Sequence, residues 1–276
     1  MDVYRLFKLM SDRSSHNKRI AKNTLFLYLR MGLVLVVSLF STRVVLQALD
    51  IEDYGINNVV SGFVTMFAFL NTSMSNGVQR FYNFSLGRKN GYSIKDVYNT
   101  ALQIQAILAV TLLVPLETFG MWYIHTQMVI PIDRFAAAQW VFQFSVLSLV
   151  LLVLQIPYSA AIMAYEKMDY YAYLSIFDVL AKLGIAYIIK YTTFDKLILY
   201  GALNMLVSLI CFFLYYGYAK SHFQDLKSDF IIRKQLFKPM LYFSGWNGFG
   251  SFAYMIKSQG LNMLLNVFFG PVVNAA

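Results

Sequence analysis

Long apolar runs separated by short polar turns recur from one end of the chain to the other, and their length decides the fold class. The first runs from Thr24 to Leu49 and is broken by Arg30 and Arg43 among the ionisable residues. It ends in an acidic turn, Asp50-Ile51-Glu52-Asp53-Tyr54-Gly55, after which a second run covers Gly55 to Gln79. Further runs span Val97–Tyr123, Arg134–Met163, Tyr170–Tyr191 and Leu197–Tyr218. A seventh covers Pro239–Phe268, and Phe269–Ala276 begins an eighth. A helix needs about 20 apolar residues to cross a bilayer core, whereas barrel strands show about ten residues of alternating character. The pattern therefore predicts an all-α, polytopic helical membrane protein.

Composition agrees: 58% of residues are hydrophobic, 13% are charged, and the mean hydropathy is +0.55. A typical soluble domain is about 25% charged. Aromatic residues make up 17% of the chain, which suits interfacial belts. The formal net charge of +9 would suggest nucleic acid in a soluble protein. Here the basic residues gather on one side of the predicted membrane, so they report orientation and no nucleic-acid partner. The N-terminal tail and every second loop carry Arg5, Lys8, Arg13, Lys18, Arg19, Lys22, Arg80, Arg88, Lys89 and Lys95, then Lys167 and Lys220 to Lys238. The opposite side has only Arg134, Lys190 and Lys196. This asymmetry puts the N-terminus in the cytoplasm. The single cysteine, Cys211, makes no disulfide and no metal site, and the three histidines are far apart in tails or loops. No cofactor is implied. The N-terminal region reads as no cleavable signal, because its apolar run exceeds a signal core.

Four segments follow. Residues 1–22 form a basic cytoplasmic tail, read either as a short interfacial helix or as a disordered segment. Residues 23–219 form a six-helix N-terminal lobe, 220–238 a cytoplasmic linker, and 239–276 the start of a second lobe. The stretch Lys238 to Ala276 repeats the plan of Asn23 to Asn58: basic start, long apolar span, tight turn, re-entry. Six spans separate the two starts, so the repeat would be parallel. A complete protein would then have about twelve or more spans, and the chain reads as a C-terminally truncated copy.

The run from Arg19 to Phe84 carries a family resemblance. The pieces Arg43-Val44-Val45-Leu46 and Asp53-Tyr54-Gly55-Ile56-Asn57-Asn58-Val59-Val60 are similar to the first hairpin of bacterial polysaccharide flippases of the O-antigen and capsule type. Leu70-Asn71-Thr72-Ser73-Met74-Ser75 followed by Gln79-Arg80-Phe81 resembles the end of their second helix. Phe269-Gly270-Pro271 with Asn274-Ala275-Ala276 looks like the matching hairpin of the C-terminal lobe. These flippases share a superfamily with the multidrug (MATE-type) exporters. The resemblance implies a MATE-like six-helix lobe, here followed by the first one to two helices of the second lobe. It implies a multi-pass protein of the bacterial inner membrane that flips a polyprenyl-pyrophosphate-linked oligosaccharide by alternating access. The partners implied are that lipid-linked substrate, membrane lipids, and sodium or a proton as the coupling ion.

Candidate site residues follow from charge inside the spans. Asp178 and Lys182, four apart on one helix face, sit near the middle of a span, where charge is costly and faces a bundle interior or cavity. Lys182 would contact the pyrophosphate, with Asp178 as its partner or a coupling-ion site. The alternative is a neutralised pair that only orients its helix. Lys257, with Gln259 nearby, is read as a cavity cation, against a stem that snorkels outward. Arg30, deep by sequence, would meet an incoming phosphate, whereas Arg43 reads as a headgroup contact. Asn71, Ser75 and Gln79, at i, i+4 and i+8, would serve sugar hydroxyls or make interhelical hydrogen bonds. Gly245, Gly248 and Gly250 form a G-x-x-G-x-G pattern without a preceding strand, so they read as close packing or a bend rather than a dinucleotide site. A cation-coupled multidrug exporter is the second function class and would favour acidic and aromatic cavity residues. An enzyme is disfavoured because no loop can hold a catalytic domain and no nucleophile–base or metal-ligand cluster is present.

Overall fold

A computed structural model describes residues 3–65, 67–87, 91–126, 130–226 and 235–253, and these residues form helices joined by short turns. Helix α1, Val3–Thr65, is continuous except at Asp50, whose φ of 64° and ψ of 168° are not helical. Residues 3–22 of the basic tail are helical and continuous with the first span. The part before Asp50, α1a (3–49), places Arg30 against Ser175 and packs Val45, Ala48 and Leu49 against Ile185, Ala186 and Ile189. It runs in the same direction as that later helix. The part after Asp50, α1b (51–65), packs Ile56, Val60 and Val64 against residues around Phe142 and Leu197. Helix α2, Ala68–Leu86, continues this descent, with Met74, Val78 and Tyr82 against Ile156 and Ile162. The chain therefore reverses at Asp50.

This places the expected hairpin but corrects two of its details. The turn is concentrated at one residue, and Ile51 to Gly55 are already helical. The second passage is two helices, α1b and α2, with a turn at Phe67 before α2, where a single span over Gly55–Gln79 is expected from hydropathy.

Helix α3, Ile94–Pro115, starts with a capping box in which Ser93 Oγ accepts from Asp96 N at 3.1 Å and Asp96 Oδ2 accepts from Ser93 N. Pro115 has no N–H to donate, and the helix passes into a π-turn, Leu116–Gly120, before α4, Met121–Thr126. A 3₁₀ turn, Ile132–Arg134, leads into α5, Phe135–Ala164. Then come α6, Met168–Lys190, and α7, Lys196–His222. A further helix, α8, covers 235–253 and begins before Pro239. Among the described residues, five helical segments are long and apolar enough to cross a membrane: Asn23–Gly62, Ile94–Thr126, Ile132–Ala164, Met168–Lys190 and Lys196–His222.

Polar rungs tie the π-turn and α4 to α5. Gln143 Nε2 donates to Glu117 Oε2 at 2.9 Å, and Gln139 meets His125 at 2.9 Å. At the end where α7 finishes, aromatic rings do the joining. Tyr165 stacks on Phe223 at 4.1 Å and Tyr170 on Tyr218 at 3.6 Å. Burial and the neighbouring Asp225 carboxylate push the Tyr165 hydroxyl, which lies in the turn after α5, up to about 12.

Helix α8 packs on α2 through small residues spaced four apart on both helices. Ser73 Oγ donates to the carbonyl of Ser244. A Cβ at Gly77 would overlap Ser244 Oγ, and one at Gly248 would lie 3.2 Å from Ser73 Oγ. Small residues at such spacing let two backbones approach within a membrane. Of the glycine pattern read as a packing device, Gly248 makes this contact, whereas Gly245 and Gly250 face open space.

Candidate functional site

The helices enclose a cavity of about 520 Å³ lined by α1a, α1b, α5, α6 and α7. One wall is charged. Asp178 and Lys182 on α6 form the spaced ion pair, with Lys182 Nζ donating to Asp178 Oδ2 at 2.8 Å. Their side chains are 32% and 44% exposed, so the pair faces the cavity rather than a dry core. Arg30 of α1a also lines this cavity. Its Nη1 donates to Ser175 Oγ at 3.2 Å, its Cζ stands 5.0 Å from the centre of the Tyr171 ring, and its Nε is buried without a partner. No carboxylate of the described residues pairs with Arg30. The ring face and hydroxyl hold the guanidinium while leaving its charge unmatched.

The other wall is neutral and polar. Ser145 and Ser148 of α5, and Asn204 and Ser208 of α7, line it. Each donates to a carbonyl one turn back on its own helix: Ser145 to Val141, Ser148 to Phe144, Asn204 to Tyr200 and Ser208 to Asn204, at 2.8–3.1 Å. Each serine hydrogen is thereby engaged and its oxygen's remaining acceptor capacity is left for the cavity, whereas Asn204 donates through one of its two amide hydrogens and its amide oxygen is a separate acceptor. Asn57 and Ser61 of α1b extend this wall, with the Ser61 hydroxyl bonded to the Asn57 carbonyl. A cationic face opposite an acceptor face can hold an anionic group on one side and hydroxyl donors on the other.

The structure thus brings Arg30, Asp178 and Lys182 from two distant parts of the sequence to one cavity. Asn71 and Ser75 do not line it. They lie half-buried on α2, on the helix that meets α8 through Ser73 and Gly77. Arg43 is exposed on α1a. Lys257, and the second hairpin at Phe269 to Ala276, lie outside the described residues. The neutral wall is the part that spacing alone misses. Its sequence signals are the four-residue spacings of Asn204 with Ser208 and of Asn57 with Ser61.

One end of the cavity carries a second ionic cluster. Arg134, at the foot of α5, donates through Nη2 to Asp53 Oδ2 at 2.8 Å and through Nη1 to Asp195 Oδ2 at 2.7 Å. Asp195 Oδ1 meanwhile accepts from the N–H groups of Leu197 and Ile198 and caps α7.

The fold is similar to that of a solved MOP-superfamily transporter from Pyrococcus furiosus Vc1 (DSM3638), with a TM-score of 0.65. The two sequences are 13% identical, and the match covers 92% of this chain and 57% of that one. No model of a protein family matches the chain, and no curated protein sequence matches it.

Proposed function

We propose that the protein works in the membrane as part of an alternating-access transporter that moves a lipid-linked anionic saccharide, a polyprenyl-pyrophosphate-linked oligosaccharide, across the bilayer. The observation that carries this reading is Arg30, whose guanidinium lines the cavity with no carboxylate among the described residues to neutralise it. Lys182 adds a second cation against the one acid among the described lining residues, Asp178. A phosphate group would satisfy both cations, since guanidinium and ammonium bind phosphate oxygens through charge-assisted hydrogen bonds. Sugar hydroxyls would donate to the acceptor wall of Ser145, Ser148, Asn204 and Ser208. For the Pyrococcus transporter, reversed pocket polarity is taken to suggest a different function. In this chain the cavity's net positive polarity favours an anionic cargo over the organic cations of a multidrug exporter. The expected surroundings are the bacterial inner membrane, with the N-terminus cytoplasmic and sodium or a proton as coupling ion.

The test is a binding titration of the protein in lipid nanodiscs with a short polyprenyl pyrophosphate. A charge-assisted hydrogen bond contributes about 1.5–3 kcal/mol, so Arg30→Gln should weaken binding by roughly tenfold or more. The neutral polyprenol should bind weakly to both. Tighter binding of a cationic dye, lost in Asp178→Asn, would instead support the exporter reading.

A further inference from the structure

We propose that Arg134, Asp53 and Asp195 form the gate at one end of the cavity, and that Asp50 is the hinge on which it opens. The proposal rests on alternating access as proposed above and is independent of what the cargo is.

All three members of the cluster sit at the same end of helices that line the cavity. Asp53 lies one helical turn before Asn57 on α1b, and Asp195 lies five residues before Tyr200 on α7. That spacing places the cluster about 6–8 Å beyond the nearest lining residues, at about 1.5 Å of rise per residue. Arg134 precedes α5, whose Phe144 and Ser145 line the same cavity. One guanidinium therefore ties together three walls that must separate for this end to open.

The geometry makes the clamp conditional. The Asp53 side chain is 6% exposed, and its second oxygen, Oδ1, is buried without a partner. A buried carboxylate is tolerated while its cation is in place and becomes strongly unfavourable without it. Asp50 and Glu52 on the same helix, and Asp195 across the gap, stand close enough to repel Asp53. With Arg134 displaced, the end would be held by carboxylates alone, and their repulsion would drive α1b away from α7. Asp195 is fixed by its capping bonds to Leu197 and Ile198, so movement falls on α1b. The joint of α1b is Asp50, three residues from Asp53. Its φ of 64° with ψ of 168° is a conformation that is essentially glycine's own. Strain held in a non-glycine residue beside an ionic latch is released when the latch opens, and hinges are the few residues that absorb such φ/ψ changes.

Cysteine labelling reads the gate without any substrate. In a Cys211→Ser background, Ser148→Cys reports from inside the cavity. Ile132→Cys, at a position 96% exposed beside Arg134, identifies the clamp side of the membrane. A charged, membrane-impermeant thiol reagent is applied to vesicles of each orientation, and total thiol is measured after denaturation. Arg134→Gln should raise the clamp-side labelling rate of Ser148→Cys by tenfold or more. Asp195→Asn should do the same to a lesser degree, since asparagine still caps α7. Arg134→Lys should stay near the parent rate. Clamp-side labelling that is unchanged in Arg134→Gln and Asp195→Asn, with both variants monodisperse on gel filtration, would overturn the gate. Because Asp195→Asn keeps the cap and the fold, a misfolded Arg134→Gln alone would not decide the matter. A true gate with a wrong cargo would show altered labelling alongside unchanged pyrophosphate binding.

Discussion

At the scale of single residues, the cavity works through mismatches between charge and environment. Lys182 has a partner of its own in Asp178, whereas Arg30 is held by a hydroxyl and a ring and keeps its charge unmatched. Lys182→Gln should therefore behave differently from Arg30→Gln. It removes a cation and also leaves Asp178 unpaired beside the anionic cargo, so the double variant Asp178→Asn/Lys182→Gln should recover part of the lost affinity. A titration with polyprenyl pyrophosphate checks this, and no recovery would mean that Asp178 makes no electrostatic contribution to the site. Asp50 gives a prediction of opposite sign. Glycine adopts its observed backbone conformation without the steric penalty of about 1–3 kcal/mol. Asp50→Gly should raise the thermal unfolding temperature and lower clamp-side labelling from the cavity, and a lower unfolding temperature would contradict the strain assigned to that residue. The sequence displayed Arg30, Asp178 and Lys182 plainly, because charges inside apolar spans stand out. It did not display Ser145 and Ser148, because an intramembrane serine bonded to its own helix looks the same wherever it points. Nor did it reveal that Asn71 and Ser75 lie away from the cavity, since four-residue spacing puts residues on one face without saying what that face meets.

At the scale of elements, apolar length made the helices legible, and their joints were not. The spans over α5, α6 and α7 agree with hydropathy to within a few residues, since the charged turns at Glu166 to Asp169 and Thr192 to Asp195 interrupt long apolar runs. The turn at Phe67 that precedes α2 is flanked by no glycine, proline or charge that would mark it. The reversal at Asp50 was legible as an acidic turn, but its collapse onto one residue is a consequence of how α1a and α1b pack on different neighbours. The contact between α2 and α8 shows what small residues do at this scale. Gly77→Ala should push Ser244 out of place and destabilise the fold by about 1–3 kcal/mol, the usual effect of overpacking. Ser244→Gly should rescue it, because the overlapping atom is the Ser244 hydroxyl oxygen. Thermal unfolding of the single and double variants checks the pair, and additive losses would show that the two residues do not share a contact.

At the scale of the whole molecule, the charges divide between two tasks. Arg30 and Lys182 line the cavity, where the proposed anionic cargo would meet them, and Arg134 stands at one end of it, binding three walls together through Asp53 and Asp195. The other end is joined by stacked aromatic rings, Tyr165 with Phe223 and Tyr170 with Tyr218. In the proposed gate, the Arg134 end opens when that one cation leaves its two carboxylates. The most direct measurement is transbilayer movement of a fluorescent polyprenyl-pyrophosphate oligosaccharide in proteoliposomes, read by the fraction that a membrane-impermeant quencher reaches over time. The account predicts movement above that of empty liposomes, slowed roughly tenfold or more by Arg30→Gln and left intact by a substitution at exposed Arg43. Movement at the same rate in the wild type and in Arg30→Gln would contradict it.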